Sequence, residues 1–410
     1  MDWKALVLLA LEAVLAFWLL WRAGLLDTRS RLWLGIALLG AAFLLRALCL
    51  NYETLDYKDF LSRWVSFYRD NLGFRSIAYP LGNYNIPYMY FLCLFSYLPI
   101  RDLYLIKMLS IFFDVLLAWG GMKLLSTVSE KKNALFACFF VILFLPTVIL
   151  NGALWGQCDS IYTALALIGL YYGMKDRPVL SALFFTLSFG FKLQAVFLLP
   201  MMAVLWFKGK YKLRHFALMP LFYVLLVLPA VLLGKPFLET LTLYASQTGS
   251  IGDGLNYNSP SIYAIFWRVQ DQQAAATLGI AGAFTYLAVL LLLSFVKRRS
   301  LTDRALLALA VLMVVGIPFL LPHMHDRYFF PADVMTVVLA FALPLGALTA
   351  PLTQFASLLG YHAYLKMRYL LYMNHGSRAL IAVLLITAGL LARELTPPVP
   401  AAAAPKPRKK

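Results

Sequence analysis

Residues 32–87 read LWLGIALLGAAFLLRALCL followed by NYETLDYKDFLSRWVSFYRDNLGFRSIAYPLGNYNIP, and the class of fold follows from them. Its first part, 32–50, is apolar except for Arg46, and its length approaches the roughly 20 residues that cross a bilayer. Its second part, 51–87, carries four acidic side chains, four basic side chains and six Tyr or Trp rings. A span that opens into a long charged and aromatic loop predicts a membrane protein whose chemistry takes place at the membrane surface.

The composition extends this interpretation to all 410 residues. Hydrophobic residues make up 62% of the chain, charged residues make up 13%, and the mean hydropathy is +0.77. Soluble proteins average about 45–50% apolar and about 25% charged residues, so a soluble domain is excluded. We predict an all-α polytopic membrane protein, a helix bundle of about 11–13 spans. The expected spans lie near residues 5–21, 32–50, 103–125, 134–151, 159–174, 179–192, 194–207, 216–233, 275–296, 303–321, 331–348, 352–365 and 378–392.

The basic residues predict the orientation of these spans. Most Lys and Arg side chains fall in the loops 22–31, 123–132, 175–177, 208–214, 297–304 and the C-terminal tail. By the positive-inside rule these loops are cytoplasmic, and the outer loop, residues 51–101, faces the opposite side. We expect one transmembrane domain over 1–395 and a disordered basic cytoplasmic tail over 396–410. Compact loops without retention signals favour a bacterial plasma membrane.

Several partners and cofactors are not expected. The net charge of +17 comes from short clusters between spans, which fits membrane lipids as partners and argues against nucleic acid. The four cysteines show no CxxC or other metal spacing, and His323, His325 and Asp326 lack a zinc-type partner set, so neither a metal nor a cofactor is expected. Arg46 and Asp114 lie within apolar spans, where we expect an ion pair with each other or with a neighbour.

Two outward segments suit a hydroxylated ligand. In the outer loop, Asp56 and Asp59 can take a proton from a hydroxyl group. At the start of a later span, Trp155 can cover the face of a sugar while Gln157 and Asp159 hold its edge. An interfacial Trp beside a helix cap at Asp159 explains the same residues structurally, and both interpretations stay open.

Three further segments carry polar side chains. Lys192 lies between two apolar runs, where a charge near the bilayer centre costs about 2.5–3.5 kcal/mol, so it needs an anionic partner such as a lipid phosphate or reaches the headgroups. Arg327 beside His325 suits a phosphate, because guanidinium binds phosphate bidentately; pairing with a loop acid is the alternative. Asn256 and Asn258 can bind hydroxyl groups or form a turn.

Five motifs follow one another in a characteristic order: Asp-x-x-x-Phe-x-x-x-Trp at 56–64, NYNIPYMYF at 83–91, LNGALWGQCDS at 150–160, FKLQ at 191–194 and His-x-Arg-Tyr at 325–328. This order resembles the GT-C superfamily of integral-membrane glycosyltransferases, and within it bacterial proteins related to the PIG-V-type mannosyltransferase of GPI-anchor synthesis. The resemblance covers about residues 40–335, and WGQ-x-D-S is its most specific part. The chain departs at Asn83-Tyr84-Asn85-Ile86, where many relatives carry an Asp-Tyr-Pro-Pro-like stretch, which leaves the acceptor less defined than the reaction.

The resemblance implies an inverting transferase that moves a hexose, with mannose favoured, from a polyprenyl-phosphate carrier to a lipid, glycan or protein hydroxyl on the extracytoplasmic face. It implies Asp56 as the catalytic base, with Asp59, one helical turn further on, as the alternative. Together with the residue chemistry above, it predicts a donor-phosphate site at Lys192, His325 and Arg327. The predicted sugar and acceptor contacts are Asn83, Tyr84, Trp155, Gln157, Asp159, Asn256 and Asn258.

Two other classes of function share the outward-facing polar groups. A transporter or flippase of lipid-linked sugars would perform no chemistry, and it would show repeated halves and broken midplane helices. A ligase or polymerase with a pyrophosphate-linked donor would carry one very large outer loop. We find no internal repeat and several moderate loops, which favours the transferase.

Overall fold

The fold is described from a computed structural model of the chain, which covers residues 2–247, 254–266 and 268–396. All of the predicted tail after residue 396 lies outside the described residues. The chain is an all-α polytopic membrane protein, as predicted. Its helices are α1 (Trp3–Arg22), α2 (Arg29–Cys49), α3 (Ser62–Asp70), α4 (Ile86–Phe95), α5 (Asp102–Leu125), α6 (Lys132–Phe144), α7 (Pro146–Ile149), α8 (Asp159–Met174), α9 (Pro178–Phe191), α10 (Met201–Phe207), α11 (Leu213–Phe216), α12 (Leu218–Leu232), α13 (Phe237–Leu241), α14 (Leu243–Gln247), α15 (Gln272–Val296), α16 (Asp303–Leu320), α17 (Phe330–Ala342), α18 (Thr349–Lys366) and α19 (Met373–Leu395).

Short elements join these helices. Two π-helical turns span Tyr57–Leu61 and Leu150–Trp155, and 3-10 turns span Gly73–Ala78, Leu193–Phe197, Ile262–Ala264 and Pro344–Gly346. The strands β1 (Asn256–Tyr257) and β2 (Met324–His325) pair in parallel and form a two-stranded ribbon. This ribbon ties the long loop before α15 to the loop before α17.

The helices divide into a buried centre and a lipid-facing periphery. Six helices in the described part of the chain are long and apolar enough to cross a membrane, and a seventh span is added if the bent α6–α7 segment counts as one. Within the protein, 78% of the apolar window of α5 and 83% of that of α16 are buried, against 11% for α11–α12 and 17% for α15. The central helices α5 and α16 therefore position the site, and the peripheral helices present apolar side chains to lipid.

The starts of several helices follow from their capping residues. The side chains of Thr28, Asp271 and Thr302 accept hydrogen bonds from backbone N–H groups in the first turns of α2, α15 and α16. Such caps satisfy donors that have no partner within the helix. Asn85 caps α4 in the same way, and this helix is too short to cross a bilayer because it spans only Ile86–Phe95.

The predicted continuous span 134–151 is broken. The chain bends by 47° between α6 and the segment Pro146–Trp155. Pro146 causes the break, because proline disfavours helical backbone in the preceding residue and donates no hydrogen bond. The segment then ends at Gly156, whose φ of +77° is left-handed. The bend directs residues 151–157 into the bundle rather than along the membrane normal.

Two buried basic residues brace the helices next to the outer loop. Arg46 pairs with Asp114 at 3.0 Å, which confirms the expected intramembrane ion pair, and Ser160 donates a hydrogen bond to Asp114. Lys107, which no sequence pattern predicted, donates hydrogen bonds to the backbone oxygens of Cys49, Leu50 and Tyr52 at 2.8, 3.1 and 2.6 Å. Cys49 is the last residue of α2 and the other two follow it, so Lys107 fixes the point where the outer loop leaves the bundle.

Candidate active site

Two π-helical turns bring Asp56 to Trp155. Asp56 immediately precedes the first π turn, and Trp155 is the last residue of the second. Oδ2 of Asp56 accepts a hydrogen bond from Trp155 Nε1 at 2.9 Å and another from Gln157 Nε2 at 2.6 Å. The hydroxyl of Tyr84 donates to Gln157 Oε1 at 3.2 Å. π turns often occur at functional sites, and here each one presents a polar side chain to the other.

Asp159 joins both cations of the site. This carboxylate is completely buried in the first turn of α8, where a helix N-terminus favours negative charge. Oδ1 accepts a hydrogen bond from Lys192 Nζ, and Oδ2 accepts one from Asn151 Nδ2 at 2.8 Å. Arg327 Nε lies 3.5 Å from the same Oδ2. Lys192 ends α9 in extended backbone, and this break in the helix turns its ammonium group toward Asp159.

The Arg327 guanidinium is held in place but is under-bonded. Its carbon lies 5.1 Å above the ring of Trp155, which is the geometry of a cation–π contact. Its contacts to Asp326 Oδ1, at 3.4 Å, and to Asp159, at 3.5 Å, are longer than ordinary N–H···O hydrogen bonds of about 2.7–3.2 Å. Nε is buried and makes no hydrogen bond to the described residues. A guanidinium has five donors, so most of its capacity to bind an oxyanion is unused.

The ribbon holds His325 and Asp326 beside the cations. The His325 ring stacks on Tyr257 at 4.7 Å. Burial, together with Arg327, lowers the pKa of His325 to about 4, so its imidazole is neutral at neutral pH. Burial raises the pKa of Asp326 to about 7, although Arg327 opposes that shift. The stable positive charge of the site therefore comes from Lys192 and Arg327.

The other predicted residues lie at different places. Asp59 has a side chain that is 52% exposed, and it faces Arg63 at 3.7 Å on the outside of the outer loop. Asn83 is exposed beside Tyr84. The Asn256 side chain bonds the backbone of Ser259 within its own turn, which matches the structural alternative. Asn258 accepts a hydrogen bond from Tyr369. The site itself thus contains Asp56, Tyr84, Trp155, Gln157, Asp159, Lys192 and Arg327, with His325 next to Arg327.

Three residues of the site did not emerge from the sequence. Asn151 donates to both Asp159 and the hydroxyl of Tyr361, at 2.8 and 2.9 Å. Tyr364 stacks on Trp155, with ring centroids 4.1 Å apart and planes 13° apart, and its buried hydroxyl lies near Asp56. Tyr361 and Tyr364 are three residues apart on α18 and so share a helix face. The three-residue spacing of these tyrosines was the sequence signal for this part of the site, in a segment that we had predicted only as a membrane span.

The arrangement defines a class of protein: a polytopic membrane protein with a carboxylate and two cations gathered at one end of its central helices, a set suited to group transfer. No cluster of three or more His, Cys, Asp or Glu side chains that could hold a metal ion occurs within the described residues.

The sequence profile of glycosyltransferase family 87 matches residues 83–321, more than half of the chain, and the chain therefore belongs to that family. The protein is a membrane glycosyltransferase of GT-C type. The matched range includes Asp159 and Lys192, begins after Asp56 and ends before Arg327. No curated protein and no solved structure matches the chain significantly. The PIG-V-type resemblance and the preference for mannose stay predictions.

Proposed function

We propose that this glycosyltransferase is an inverting enzyme that moves a hexose, with mannose favoured, from a polyprenyl-phosphate donor to a hydroxyl acceptor on the extracytoplasmic face. One observation carries the proposal. Asp56 bonds the edge of the Trp155 indole, and the under-bonded Arg327 guanidinium lies over its face. A base and an anion-binding group held this close fit a reaction in which a hydroxyl loses its proton while a phosphate leaves.

In the proposed reaction, the acceptor hydroxyl attacks the anomeric carbon of the donor sugar. The hydroxyl proton moves to Asp56, the new C–O bond forms, and the bond from the anomeric carbon to the phosphate oxygen breaks. Its electron pair leaves with the phosphate, and attack from the opposite side inverts the anomeric centre. Both hydrogen bonds to Asp56 end on Oδ2, so we assign the acceptor proton to Oδ1.

Arg327 and Lys192 would stabilise the charge that develops on the leaving phosphate. Asp159 holds both cations, and its complete burial supports a positioning role for it in place of the predicted contact with sugar. His325 is neutral at neutral pH because of its lowered pKa, so it would donate a hydrogen bond rather than supply charge. Trp155 and Gln157 are nearly as buried as Asp159, so we propose that they position Asp56 through their hydrogen bonds. Tyr84, which is half-buried, would then help to align the sugar and the acceptor.

We also propose that the site faces the periplasm of a bacterial plasma membrane and that the C-terminus is cytoplasmic. The support is the separation of charge along the helices. Asp56, Trp155 and Arg327 lie at one end of the bundle, while the connections after α5, α8, α10 and α15 hold clustered Lys and Arg. By the positive-inside rule, those basic connections face the cytoplasm.

The test uses the full chain in proteoliposomes with polyprenyl-phosphate mannose or polyprenyl-phosphate glucose labelled in the sugar, and with a lipid extract as the source of acceptor. We expect release of polyprenyl phosphate together with transfer of the label to a new product, and no use of nucleotide-linked sugars. Consumption of a nucleotide sugar would overturn the donor assignment. Movement of intact labelled donor across the bilayer, without release of polyprenyl phosphate, would instead identify a flippase.

A further inference from the structure

A cavity lies beside the candidate active site. It has a volume of about 820 Å³ and is formed by β1 and the turn after it, the start of α15, and the loop between α18 and α19. Ligand pockets in proteins measure about 300–1,000 Å³. We call this space the outer cavity. It is too large for one hexose alone, and no step of the proposed reaction uses it.

The chemistry of its walls is that of a carbohydrate site. The lining combines aromatic rings with side-chain amides, among them Tyr369, Tyr372, Asn256, Asn258 and Gln272. None of the described lining residues is Asp, Glu, Lys or Arg. Aromatic rings pack against the apolar face of a sugar, and the exposed amide of Gln272 can pair with hydroxyl groups. The amide of Asn256 already bonds Ser259, and the amide oxygen of Asn258 already accepts a hydrogen bond from Tyr369. The uncharged side chains among the described lining residues favour a neutral ligand over a phosphate.

Two aromatic rings of the walls are under-used by the protein itself. Tyr369 is 60% exposed and Tyr372 is 80% exposed, although both carry large rings. An exposed aromatic ring on a cavity wall offers an apolar face on which a sugar can pack.

The ribbon connects this cavity to the cations. Successive side chains of a strand point to opposite faces. Asn256 and Asn258 line the outer cavity, while Tyr257 between them stacks on His325, two residues before Arg327. In β1, Asn256 therefore contributes to the cavity and Tyr257 to the His325 stack, so the cavity and the cation cluster adjoin the same thin ribbon.

The end of α18 makes the same connection. Tyr364 packs on Trp155, and Tyr369, just beyond the helix, bonds Asn258 at the cavity. Two separate segments thus lead from the reacting groups to the outer cavity.

We propose that the outer cavity is the distal acceptor subsite and that the acceptor carries a neutral oligosaccharide of at least three sugar units. The terminal unit reacts near Asp56, and the units behind it occupy the cavity. The role of the cavity as an acceptor subsite rests on the proposed function. The binding of a neutral glycan by the cavity is a separate property. The donor does not fit there, because its phosphate needs Lys192 and Arg327, and neither of them lines the cavity.

The experiment measures binding to an array of neutral and acidic oligosaccharides, one to six units long, by the full chain in lipid nanodiscs without donor. We expect binding of neutral glycans of three or more units. Tyr372→Ala should weaken it about threefold to tenfold, the usual range for one aromatic contact. The double variant with Tyr372→Ala and Gln272→Ala should weaken glycan binding further. Tyr79→Ala is the matched control, because Tyr79 is a 58% exposed tyrosine that does not line the cavity.

A second arm uses the best neutral glycan as acceptor with the polyprenyl-phosphate donor. We expect Tyr372→Ala to raise KM for the glycan and to leave KM for the donor unchanged. Failure to bind any neutral glycan, preference for acidic glycans, or equal binding by Tyr372→Ala and wild type would overturn the inference even if the donor is turned over. Glycan binding without release of polyprenyl phosphate would overturn the acceptor role and the proposed function, while the glycan site would stand.

Discussion

Replacing Asp56 by Asn removes the proposed base and changes little else. The amide has the same shape as the carboxylate, and its oxygen can still accept the hydrogen bonds that Trp155 and Gln157 donate at 2.9 and 2.6 Å. A hydrogen bond to a charged group contributes about 1.5–3 kcal/mol and a neutral one about 0.5–1.5 kcal/mol, so two weakened bonds reduce stability by about 2 kcal/mol. The folded structure should therefore persist.

The effect on catalysis should be much larger. A positioned general base contributes about 10²–10⁴-fold to a rate. At about 1.4 kcal/mol for each factor of ten, this loss raises the barrier by about 3–5 kcal/mol. We expect kcat to fall by that factor while donor binding is retained, because Arg327 and Lys192 are untouched. The assay measures release of polyprenyl phosphate from purified protein, with the thermal unfolding midpoint recorded alongside.

Asp59→Asn is the matched control. Asp59 is the alternative base predicted from the sequence, it lies one helical turn away, and its exposed side chain pairs with Arg63. We expect this variant to turn over at the wild-type rate. A near wild-type rate for Asp56→Asn would refute the assignment of the base, and so would an equal loss in both variants.

Three further predictions concern the charged groups around Asp56. Arg327→Ala should raise KM for the donor about tenfold to a hundredfold, because a hydrogen bond between charged groups contributes about 1.5–3 kcal/mol; steady-state kinetics with varied donor measure it. Asp159→Asn should lower the free energy of unfolding by about 3–5 kcal/mol, because it leaves the Lys192 charge buried and unpaired, and denaturant titration measures it. The pKa of Asp326 is raised to about 7 by burial, with Asp56 and Asp159 adding to the shift and Arg327 opposing it. Asp326 is therefore neutral below pH 7 and negative above it, so KM for an anionic donor should rise as the pH increases through 7, and Asp326→Asn should abolish that rise.

Each of these predictions has its own control. Arg63→Ala removes an exposed arginine of the outer loop and should leave KM for the donor unchanged; an equal effect would mean that Arg327 acts only through net charge. Replacing Asp159 and Lys192 together by apolar residues should recover much of the stability lost in the single variant, and no recovery would contradict a pairwise origin of that loss.

The raised pKa of Asp326 also makes the stability of the fold depend on pH. Its pKa is higher in the folded state, so its contribution to stability is lost as the pH rises from about 4 through about 7.

The candidate site was predicted in part because its residues carry strong individual signals. Lys192 and Arg327 stood out since charges near apolar spans need partners, and the structure places both beside Asp159. Spacing alone does not distinguish Asp56 from Asp59, because both follow the same span. Asp56 is half-buried and Asp59 is exposed because of the way the π turn at Tyr57–Leu61 packs against the bundle.

The sequence also could not show how the second half of the site is built. The break at Pro146 was hidden inside an apolar run that has the length of one span. Tyr361 and Tyr364 were hidden in α18, since a tyrosine on an apolar helix is equally compatible with lipid, core or site. Their roles depend on contacts with Asn151 and Trp155, more than 200 positions earlier in the chain.

The class of fold and the approximate position of almost every helix follow from the sequence alone. These properties depend on local physics, because apolar segments of sufficient length become helices in a bilayer and charged residues collect between them. The packing of the helices sets which carboxylate lies against Trp155 and which one holds the cations. Asp56 meets Trp155 and Gln157 across about a hundred residues, and such contacts are set by the packing of the central helices around α5 and α16 rather than by any local pattern.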